Sequence, residues 1–380
     1  ISPAGNDALS GISIHLTGGA YTPPVMTVSP PTALSGPGST PIQDAINAAA
    51  SGSLIVVQPG GYLENVILYK NVKLQGFGPG GVVGAPEVDR ATPEDPPPTP
   101  FLIDPPFAHI QGTVIDGRYY AFDAARVAAW QALLGSVSYG GPSPAPAGAG
   151  ITVLADPGEF GTDSPAPLTA RPMIDGFGIT ASRGEAGGGI YVHAYGRNLI
   201  IGNNIFEGNS GGNGGAMALG RPLADGGLAN NENDNVIIHH NRILANGGVR
   251  FACGVGIFSG ANNYLFAFND VCGNYSVEYG GGVSHFGLSP NGNIRDNLIY
   301  FNDAFDEGGG LMIAGDFGPA NPLGTGSGTV NVTHNLIQAN FSNDDGGGIM
   351  ALRPLHNRIN IVNNFIVNNA AADIGGGIAL

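Results

Sequence analysis

Acidic side chains recur at one fixed position of a repeated segment, and stacked carboxylates of this kind can hold a cation. Each stands four residues ahead of the last glycine in a glycine-rich box, of which residues 308–310 are one example. The residues at this position are Glu185, Glu278, Asp306, Asp344 and Asp373. Because the last four belong to consecutive repeats, neighbouring strands would place their carboxylates about 5 Å apart. Like charges at that distance must turn into water, share protons or bind a cation.

Two further acids, Glu307 and Asp345, directly follow members of this column. An all-oxygen ligand set suits Ca²⁺, which takes about six to eight oxygen ligands, better than it suits a softer metal. The predicted calcium site contains Glu278, Asp306, Glu307, Asp344, Asp345 and Asp373. A solvated acidic edge that binds no ion is the alternative interpretation of the same residues.

Pairs of asparagines five residues apart separate the glycine boxes. The first members are Asn204, Asn241, Asn269, Asn297, Asn335 and Asn364, and the second members are Asn209, Asn246, Asn274, Asn302, Asn340 and Asn369. Asparagine tolerates a left-handed turn, and its amide can hydrogen-bond the equivalent amides above and below it. The pattern therefore predicts two structural asparagine ladders.

Short strands are the elements that must carry these side chains. Apolar runs such as residues 236–238 and 359–362 are rich in β-branched residues and too short for helices. About three such runs fall in each repeat, and the repeat from Asn241 to Asn269 is 28 residues long. Repeats of this size indicate a solenoid in which neighbours share one core. The sequence thus predicts an all-β parallel β-helix over residues 40–380.

The N-terminal part of the chain differs from the repeats. Residues 1–39 are rich in Pro, Gly, Ser and Thr and are expected to be extended. Residues 40–43, Thr-Pro-Ile-Gln, match a capping box at the start of a helix. Apolar residues at 42, 45, 46 and 49 would share one helical face, so we expect a helix that caps the first rung. Long insertions are expected at 78–109, 118–150 and 155–171, the second with a helix within 122–134.

Histidines adjoin two of the asparagine turns. His239 and His240 precede Asn241, and His334 precedes Asn335. We interpret them as stacked polar turn residues. A transition-metal site is the alternative, and it would need further ligands to converge from loops.

Several segments resemble a known superfamily. Residues 114–117 (Val-Ile-Asp-Gly), residues 173–180, and the Asn-x-Ile-x-x-Asn and Gly-Gly-Gly-Ile rungs resemble the right-handed parallel β-helix repeats of the pectate-lyase-like superfamily. The secreted and surface proteins with such boxes, including the polymorphic outer-membrane adhesins, are the most similar in pattern. This resemblance implies an extracellular or cell-surface module that acts as a rigid scaffold for adhesion, assembly or glycan binding.

The same superfamily contains polysaccharide lyases, hydrolases and esterases, so a carbohydrate-active enzyme with a groove along the β-helix is the alternative. Residues 60–64 (Gly-Gly-Tyr-Leu-Glu) are similar to the GxYxE motif of pectin methylesterases. The QDTL and DFIFG motifs of those enzymes have no counterpart in the sequence. The resemblance is therefore specific for fold and leaves the catalytic residues unknown.

Composition narrows the choice of partners. The formal charge is −15, and lysine occurs only at positions 70 and 73, which disfavours nucleic acid as a partner. No apolar run is long enough to predict a membrane span. The two cysteines, Cys253 and Cys272, could form one bridge between rungs or remain as thiols. A polysaccharide is the expected non-protein partner.

The last box, residues 375–377, opens a rung that the remaining three residues do not complete. The β-helix is therefore expected to be incomplete at its C-terminal end. Either a continuation of the β-helix or another protein chain is expected to pair with residues 378–380 at this open edge.

Overall fold

The computed structural model describes residues 22–31, 39–80, 82–83, 108–109, 112–118, 120, 123–144, 148–222, 230–315, 326–352 and 358–380. In these residues the chain forms four long stacks of parallel strands, as predicted for a parallel β-helix. Most of the expected insertion at 78–109 (residue 81 and residues 84–107) lies outside the described residues. Two short pieces of it, Val82–Val83 and Ala108–His109, pair in an antiparallel manner.

A complete rung contains four strands, one in each of four parallel sheets, where the sequence predicted about three. In one rung these strands are Leu265–Ala267, Asp270–Cys272, Tyr275–Ser276 and Val283–Phe286. The additional strand is the third one, which is only two residues long. Two residues are too few to show an alternation of apolar and polar side chains, so the sequence pattern did not predict this strand.

The sheets are numbered here in the order in which the chain passes through them. Sheet 1 contains Val25–Val28, Leu54–Val57, Lys73–Gly76, Met173–Asp175, Ile200–Gly202, Ile237–His239, Leu265–Ala267, Gly292–Arg295, Val330–Thr333 and Ile359–Val362. Sheet 2 contains Gly60–Tyr62, Thr113–Asp116, Phe177–Thr180, Ile205–Glu207, Arg242–Leu244, Asp270–Cys272, Leu298–Tyr300, Leu336–Gln338 and Phe365–Val367. Sheet 3 contains Arg183–Gly184, Ser210–Gly211, Gly247–Gly248, Tyr275–Ser276, Asp303–Ala304, Phe341–Ser342 and Ala370–Ala371. Sheet 4 contains Val66–Leu68, Ile151–Val153, Ile190–Val192, Met217–Leu219, Val255–Phe258, Val283–Phe286, Leu311–Ala314, Ile349–Leu352 and Ile378–Ala379.

The core runs along the inside of these sheets. Alternate strand residues point inward, so Phe266, Ile294 and Val332 follow one another in register in sheet 1 and are fully buried. Sheet 1 begins within the N-terminal segment, since Val25–Val28 pairs with Leu54–Val57. Each rung therefore buries its apolar residues against the rungs before and after it.

The glycine boxes form the tight corner before sheet 4. Their first glycine adopts a left-handed conformation in several rungs, with φ of 76° at Gly308 and 68° at Gly346. The following glycines lie against the next rung, and a Cβ on Gly309 would be 2.2 Å from the carbonyl oxygen of Phe341. Both requirements exclude larger residues, which explains why the box recurs.

Helix α1, Pro41–Ala48, lies at the first rung, and its Ile42 and Ile46 are fully buried in the main core. The capping-box prediction is wrong, because Thr40 caps no backbone N–H. Glu64 does so instead: its carboxylate accepts the N–H groups of Ile42 and Gln43, each at 3.1 Å. A buried carboxylate satisfies two of the unpaired N–H groups at a helix start and interacts favourably with the helix dipole.

Helix α2, Ala124–Leu134, confirms the helix expected in the second insertion. Asp123 caps it by accepting the N–H of Ala125 at 2.9 Å. Its Trp130 is buried in a second apolar cluster, which also contains Ile67 and Tyr191 from the outer face of sheet 4. The third insertion carries a 3₁₀ turn, Leu168–Ala170. Among the described residues, neither α-helix has the length and apolarity that crossing a membrane requires.

Candidate functional site

Both asparagine ladders are present, and they fix the two corners around sheet 2. Asn269 Nδ2 donates to Asn297 Oδ1 at 3.1 Å and to the carbonyl of Ile238 at 3.1 Å. Its own Oδ1 accepts from the backbone and side-chain nitrogens of Asn241, each at 3.0 Å. This arrangement repeats along Asn204, Asn241, Asn269, Asn297, Asn335 and Asn364, and along Asn209, Asn246, Asn274, Asn302, Asn340 and Asn369. All are buried except Asn364 and Asn369, which are half-buried.

The left-handed residue of each corner is the one before the ladder asparagine, and not the asparagine itself. His240, Phe268 and His334 hold such positions before the first ladder, with φ between 52° and 57°. Phe301 holds the equivalent position before Asn302, with φ of 54°. The ladder amide is thereby free to point inward while its neighbour makes the turn.

The predicted acidic residues form one edge, between sheets 3 and 4, which we call the acidic edge. Backbone hydrogen bonds place Glu278, Asp306, Asp344 and Asp373 in a single column, from the N–H of each residue to the carbonyl of the one before it. These bonds measure 2.9 to 3.1 Å. Glu307 and Asp345 form the neighbouring column.

The structure brings the C-terminal part of this edge together most closely. Carboxylate oxygens of Asp344, Asp345 and Asp373 lie within 4.8 Å of one another. Burial and the charges of Asp306, Asp344 and Asp345 raise the pKa of Glu307 to about 7. One oxygen of Glu307 is buried and accepts no hydrogen bond from the described residues. Crowded carboxylates of this kind gain most from a nearby cation.

A groove lies further towards the N-terminus. The equivalent position of the earlier repeats is held by Arg250, Gly212 and Glu185. Arg250 N–H donates to Gly212 O and Gly212 N–H to Glu185 O, each at 3.0 Å, whereas the Arg250 carbonyl accepts from Tyr279, the residue after Glu278, at 2.9 Å. Gly212 has no side chain, and a groove of about 440 Å³ lies there. Glu185, Arg250, Arg221 and Tyr191 line it.

The buried His193 contacts two residues that line the groove. His193 Nε2 lies 2.7 Å from the Pro142 carbonyl, so this nitrogen carries the hydrogen. Its Nδ1 therefore accepts, from Tyr191 Oη at 2.9 Å and from Arg221 Nη2 at 3.1 Å. The network orients the Arg221 guanidinium at the groove. Sequence reasoning missed this site, although the change from acid to arginine at position 250, four residues before Gly254, was a usable signal.

The groove does not carry a pair of carboxylates. Of the described residues that line it, Glu185 is the single acid, and the other charged residues are Arg221 and Arg250. Glycosidases use two carboxylates that flank the scissile bond. The lining is thus better suited to binding a polar or anionic ligand than to hydrolysing a glycosidic bond.

His239 and His240 belong to a hydrogen-bonded network on the outer face of sheet 1. Their Nδ1 atoms are 2.8 Å apart, and the His240 ring stacks on Phe268. The His239 ring lies over Gly202 beside the buried Asp175, whose pKa burial raises to about 6. Asp175 accepts from Gln75 and Asn203 at 3.0 and 2.8 Å. The stacked-turn interpretation describes His240, while His239 also packs against strand residues.

A second acidic group surrounds Arg197. Carboxylate oxygens of Asp163, Glu232 and Asp234 lie within 4.8 Å of one another. The Arg197 guanidinium contacts all three, at 2.7 Å from Asp163 and 3.5 Å from Asp234, with Glu232 closest. One guanidinium offsets one of the three negative charges, so Arg197 relieves part of the mutual repulsion in this group.

The contacts of Glu64 and of the two cysteines bear on two further hypotheses from the sequence, the esterase-like motif and the disulfide bridge. Glu64, the acid of the esterase-like motif, is buried and accepts two backbone N–H groups at the start of α1. Cys253 and Cys272 are free thiols, so the bridge is not formed. Cys272 lies on the outer face of sheet 2 beside Leu244 and Tyr300, whereas Cys253 is buried at a glycine box.

Comparison of the chain with protein-family models, with curated proteins and with solved structures finds no match. The fold and the groove therefore rest on the strand pairing and the contacts described above.

Proposed function

We propose that this chain is a rigid, non-catalytic scaffold of the right-handed, pectate-lyase-like β-helix type, secreted or displayed on a cell surface, that binds glycans along its side. The observation that carries the proposal is the pair of continuous asparagine ladders. They hold successive rungs in fixed register and leave the outer faces available for contact. Solenoids use such regular outer surfaces for binding.

General chirality supports the right-handed form of the proposed β-helix. Parallel strands joined by crossovers within one sheet are right-handed in about 98% of cases. Helix α1 is proposed as the N-terminal cap of the core. In support, Ile42 and Ile46 are buried at the first rung. Gln43 also hydrogen-bonds Ile67 through both its amide atoms, at 2.6 and 3.1 Å, which completes the pairing of a sheet 4 edge.

The groove at Gly212 is the proposed glycan contact. Arg221 and Arg250 can donate several hydrogen bonds, Glu185 can accept them, and Val249 contributes exposed apolar surface. Small-ligand sites combine an apolar wall with a few polar groups in this way. The ligand expected there is an oligosaccharide with hydroxyl groups for Glu185 and oxygen acceptors for the arginines.

Binding without turnover is the result that supports this function. An oligosaccharide array, probed with the whole protein, should identify ligands whose affinity falls at least about tenfold in Arg250→Ala. Arg242→Ala, on the exposed outer face of sheet 2, is the matched control and should bind as the wild type does. Normal array binding by Arg250→Ala would exclude the groove as the contact.

A carbohydrate-active enzyme is the second candidate, because Glu185 and Arg250 face one groove across the Gly212 gap. The test is product release from acidic and neutral polysaccharides, with and without a chelator, compared between wild type and Glu185→Gln. Turnover by the wild type that disappears in Glu185→Gln would establish the enzyme and refute the scaffold. No product from either protein supports binding alone.

Calcium is proposed at the acidic edge, held by Asp344, Asp345 and Asp373 with Asp306 and Glu307 beside them. In support, three carboxylates already converge within 4.8 Å. Hard oxygen ligands of this type suit Ca²⁺, and water would complete its coordination. The ion would relieve the mutual repulsion of the edge and stiffen the last rungs.

A further inference from the structure

Large apolar side chains are exposed together on the outer faces of sheets 2 and 3. We call this the apolar patch, and it consists of Tyr275, Val277, Leu298, Phe301, Phe305 and Phe341. Each of these side chains is between 41% and 61% exposed and lies outside the buried core. Contiguous exposed apolar surface of this kind generally marks an interaction site.

Strand register shows that the patch is continuous. Tyr275, Asp303 and Phe341 are consecutive partners in sheet 3, so they succeed one another at about 4.8 Å. Phe301 and Phe305 flank Asp303 in sequence, two residues before and after it. The carboxylate of Asp303 therefore stands in the middle of aromatic and aliphatic side chains.

Phe301 occupies a backbone position that disfavours it. Its φ is 54°, in the left-handed region, where the rung before has Gly273. Other corners use this conformation too, and Phe268 adopts it with φ of 57°, but for a bulky residue its strain costs about 1 kcal/mol or more. Because its ring is 61% exposed, the side chain of Phe301 makes little contact with the core and contributes little to stability by burial. A role outside the fold would account for a strained and exposed phenylalanine.

Asp303 is the polar centre of the patch. Within the described part of the chain, no side chain forms a hydrogen bond or an ion pair with its carboxylate. Burial among the apolar side chains raises its pKa. Glu278 and Asp306 of the acidic edge lie on the same side, and the whole chain carries a formal charge of −15. The patch thus combines apolar contact area with an unneutralised negative charge.

From this combination we infer that the apolar patch docks a segment of a partner protein in which a lysine or arginine is flanked by apolar side chains. The cation would pair with Asp303 while its neighbours cover Phe301, Phe305 and Phe341. The inference deepens the scaffold role proposed above and rests on it. Aromatic side chains are enriched at the centres of protein interfaces, where a few residues carry most of the binding energy.

Other occupants fit the patch less well. A second copy would bring acidic surface against acidic surface, and like charges across an interface disfavour association. A glycan needs many hydrogen-bonding groups, whereas the phenylalanine, valine and leucine side chains of the patch supply none. A basic and apolar protein segment can pair with the carboxylate of Asp303 and also cover the exposed apolar side chains of the patch.

The test uses the whole protein and three labelled peptides of equal length, with alternating Leu-Lys, Ser-Lys and Leu-Glu sequences, in fluorescence anisotropy titrations. The Leu-Lys peptide should bind at least about tenfold more tightly than either of the others. Phe301→Ser and Asp303→Asn should each weaken it about tenfold or more. Phe77→Ser removes a ring of similar exposure, 60%, elsewhere on the chain and should leave binding unchanged.

Equal binding of the Ser-Lys peptide would reduce the interaction to charge alone and overturn the inference. So would Leu-Lys binding that both patch variants retain, or competition by the oligosaccharide that binds the Gly212 groove. If Phe301→Ser does not fold, Asp303→Asn decides alone, since it removes only a charge. Because Arg250→Ala tests the groove separately, a wild-type protein that binds the glycan but does not bind the Leu-Lys peptide would reject this inference and leave the scaffold function standing.

Discussion

Asn269 Nδ2 lies 3.1 Å from Asn297 Oδ1, and the same oxygen also accepts the backbone N–H of Asn269 at 2.9 Å. One side-chain oxygen thus joins two rungs by two hydrogen bonds, inside a core from which water is excluded. Removal of either amide leaves buried polar groups without partners, which is more costly than the hydrogen bond itself is stabilising.

Asn297→Ala should therefore lower the free energy of unfolding by about 1–3 kcal/mol for each buried group that it orphans. Urea denaturation followed by circular dichroism measures this change. Asn343→Ala, at an exposed position outside both ladders, is the matched control and should alter stability by less than about 0.5 kcal/mol. Equal effects of the two substitutions would show that the ladder is not stabilising.

The buried Glu64 should make the folded protein less stable as the pH rises. Burial raises its pKa from 4.5 to about 7, so the folded chain keeps a proton that the unfolded chain releases. Its contribution to stability is complete below pH 4.5 and is lost as the pH rises towards 7, by about 3 kcal/mol at most. Glu64→Gln should reduce this loss in urea titrations across the same range. Glu207→Gln, an exposed carboxylate, should leave the profile unchanged.

Calcium should stabilise the acidic edge. Because a ligand that binds only the folded state raises its stability, Ca²⁺ should raise the melting temperature and a chelator should reverse this. The double variant Asp344→Asn, Asp345→Asn should lose the calcium response and, without calcium, be at least as stable as wild type, since it removes repulsion. If neither calcium nor the chelator changes the melting temperature, the acidic edge binds no calcium and is a solvated surface.

Phe301→Gly should stabilise the protein even though it deletes a large apolar side chain. The substitution relieves a left-handed backbone that glycine adopts freely, and the exposed ring contributes little burial. We expect an increase of about 0.5–1 kcal/mol in the free energy of unfolding, reduced by the greater flexibility of the unfolded chain. A marked fall in stability would mean that the ring packs for the fold and would weaken the case for docking.

Much of the architecture was predictable because a solenoid repeats its local rules. A glycine that must adopt positive φ, or that contacts the next rung, has to recur at each corner, and so does an asparagine whose amide needs a partner above and below. The ladders and the acidic column were therefore visible as spacing in the sequence. The two-residue strands of sheet 3 were not, because a strand of that length has no pattern.

The candidate sites were less accessible to sequence reasoning. Glu64 resembled an esterase motif, yet its oxygens accept two N–H groups of helix α1, a contact that joins residues far apart in the chain. The groove lies between Glu185 and Arg250, where Gly212 has no side chain to fill the space. His193 acquires its role from Pro142, in the second insertion, and from Arg221, which follows the sheet 4 strand Met217–Leu219.

The sequence by itself determined the rung, its two asparagine corners and the column that carries the acids, since each is a local requirement repeated at a fixed interval. Tertiary structure decided which side chains are buried, paired or exposed. It assigned Glu64 to a helix cap, left Cys253 and Cys272 apart, and placed Asp303 among exposed rings. The reason is physical: conformational preference acts within a few residues, whereas desolvation and charge pairing depend on what the neighbouring rungs and insertions bring into contact.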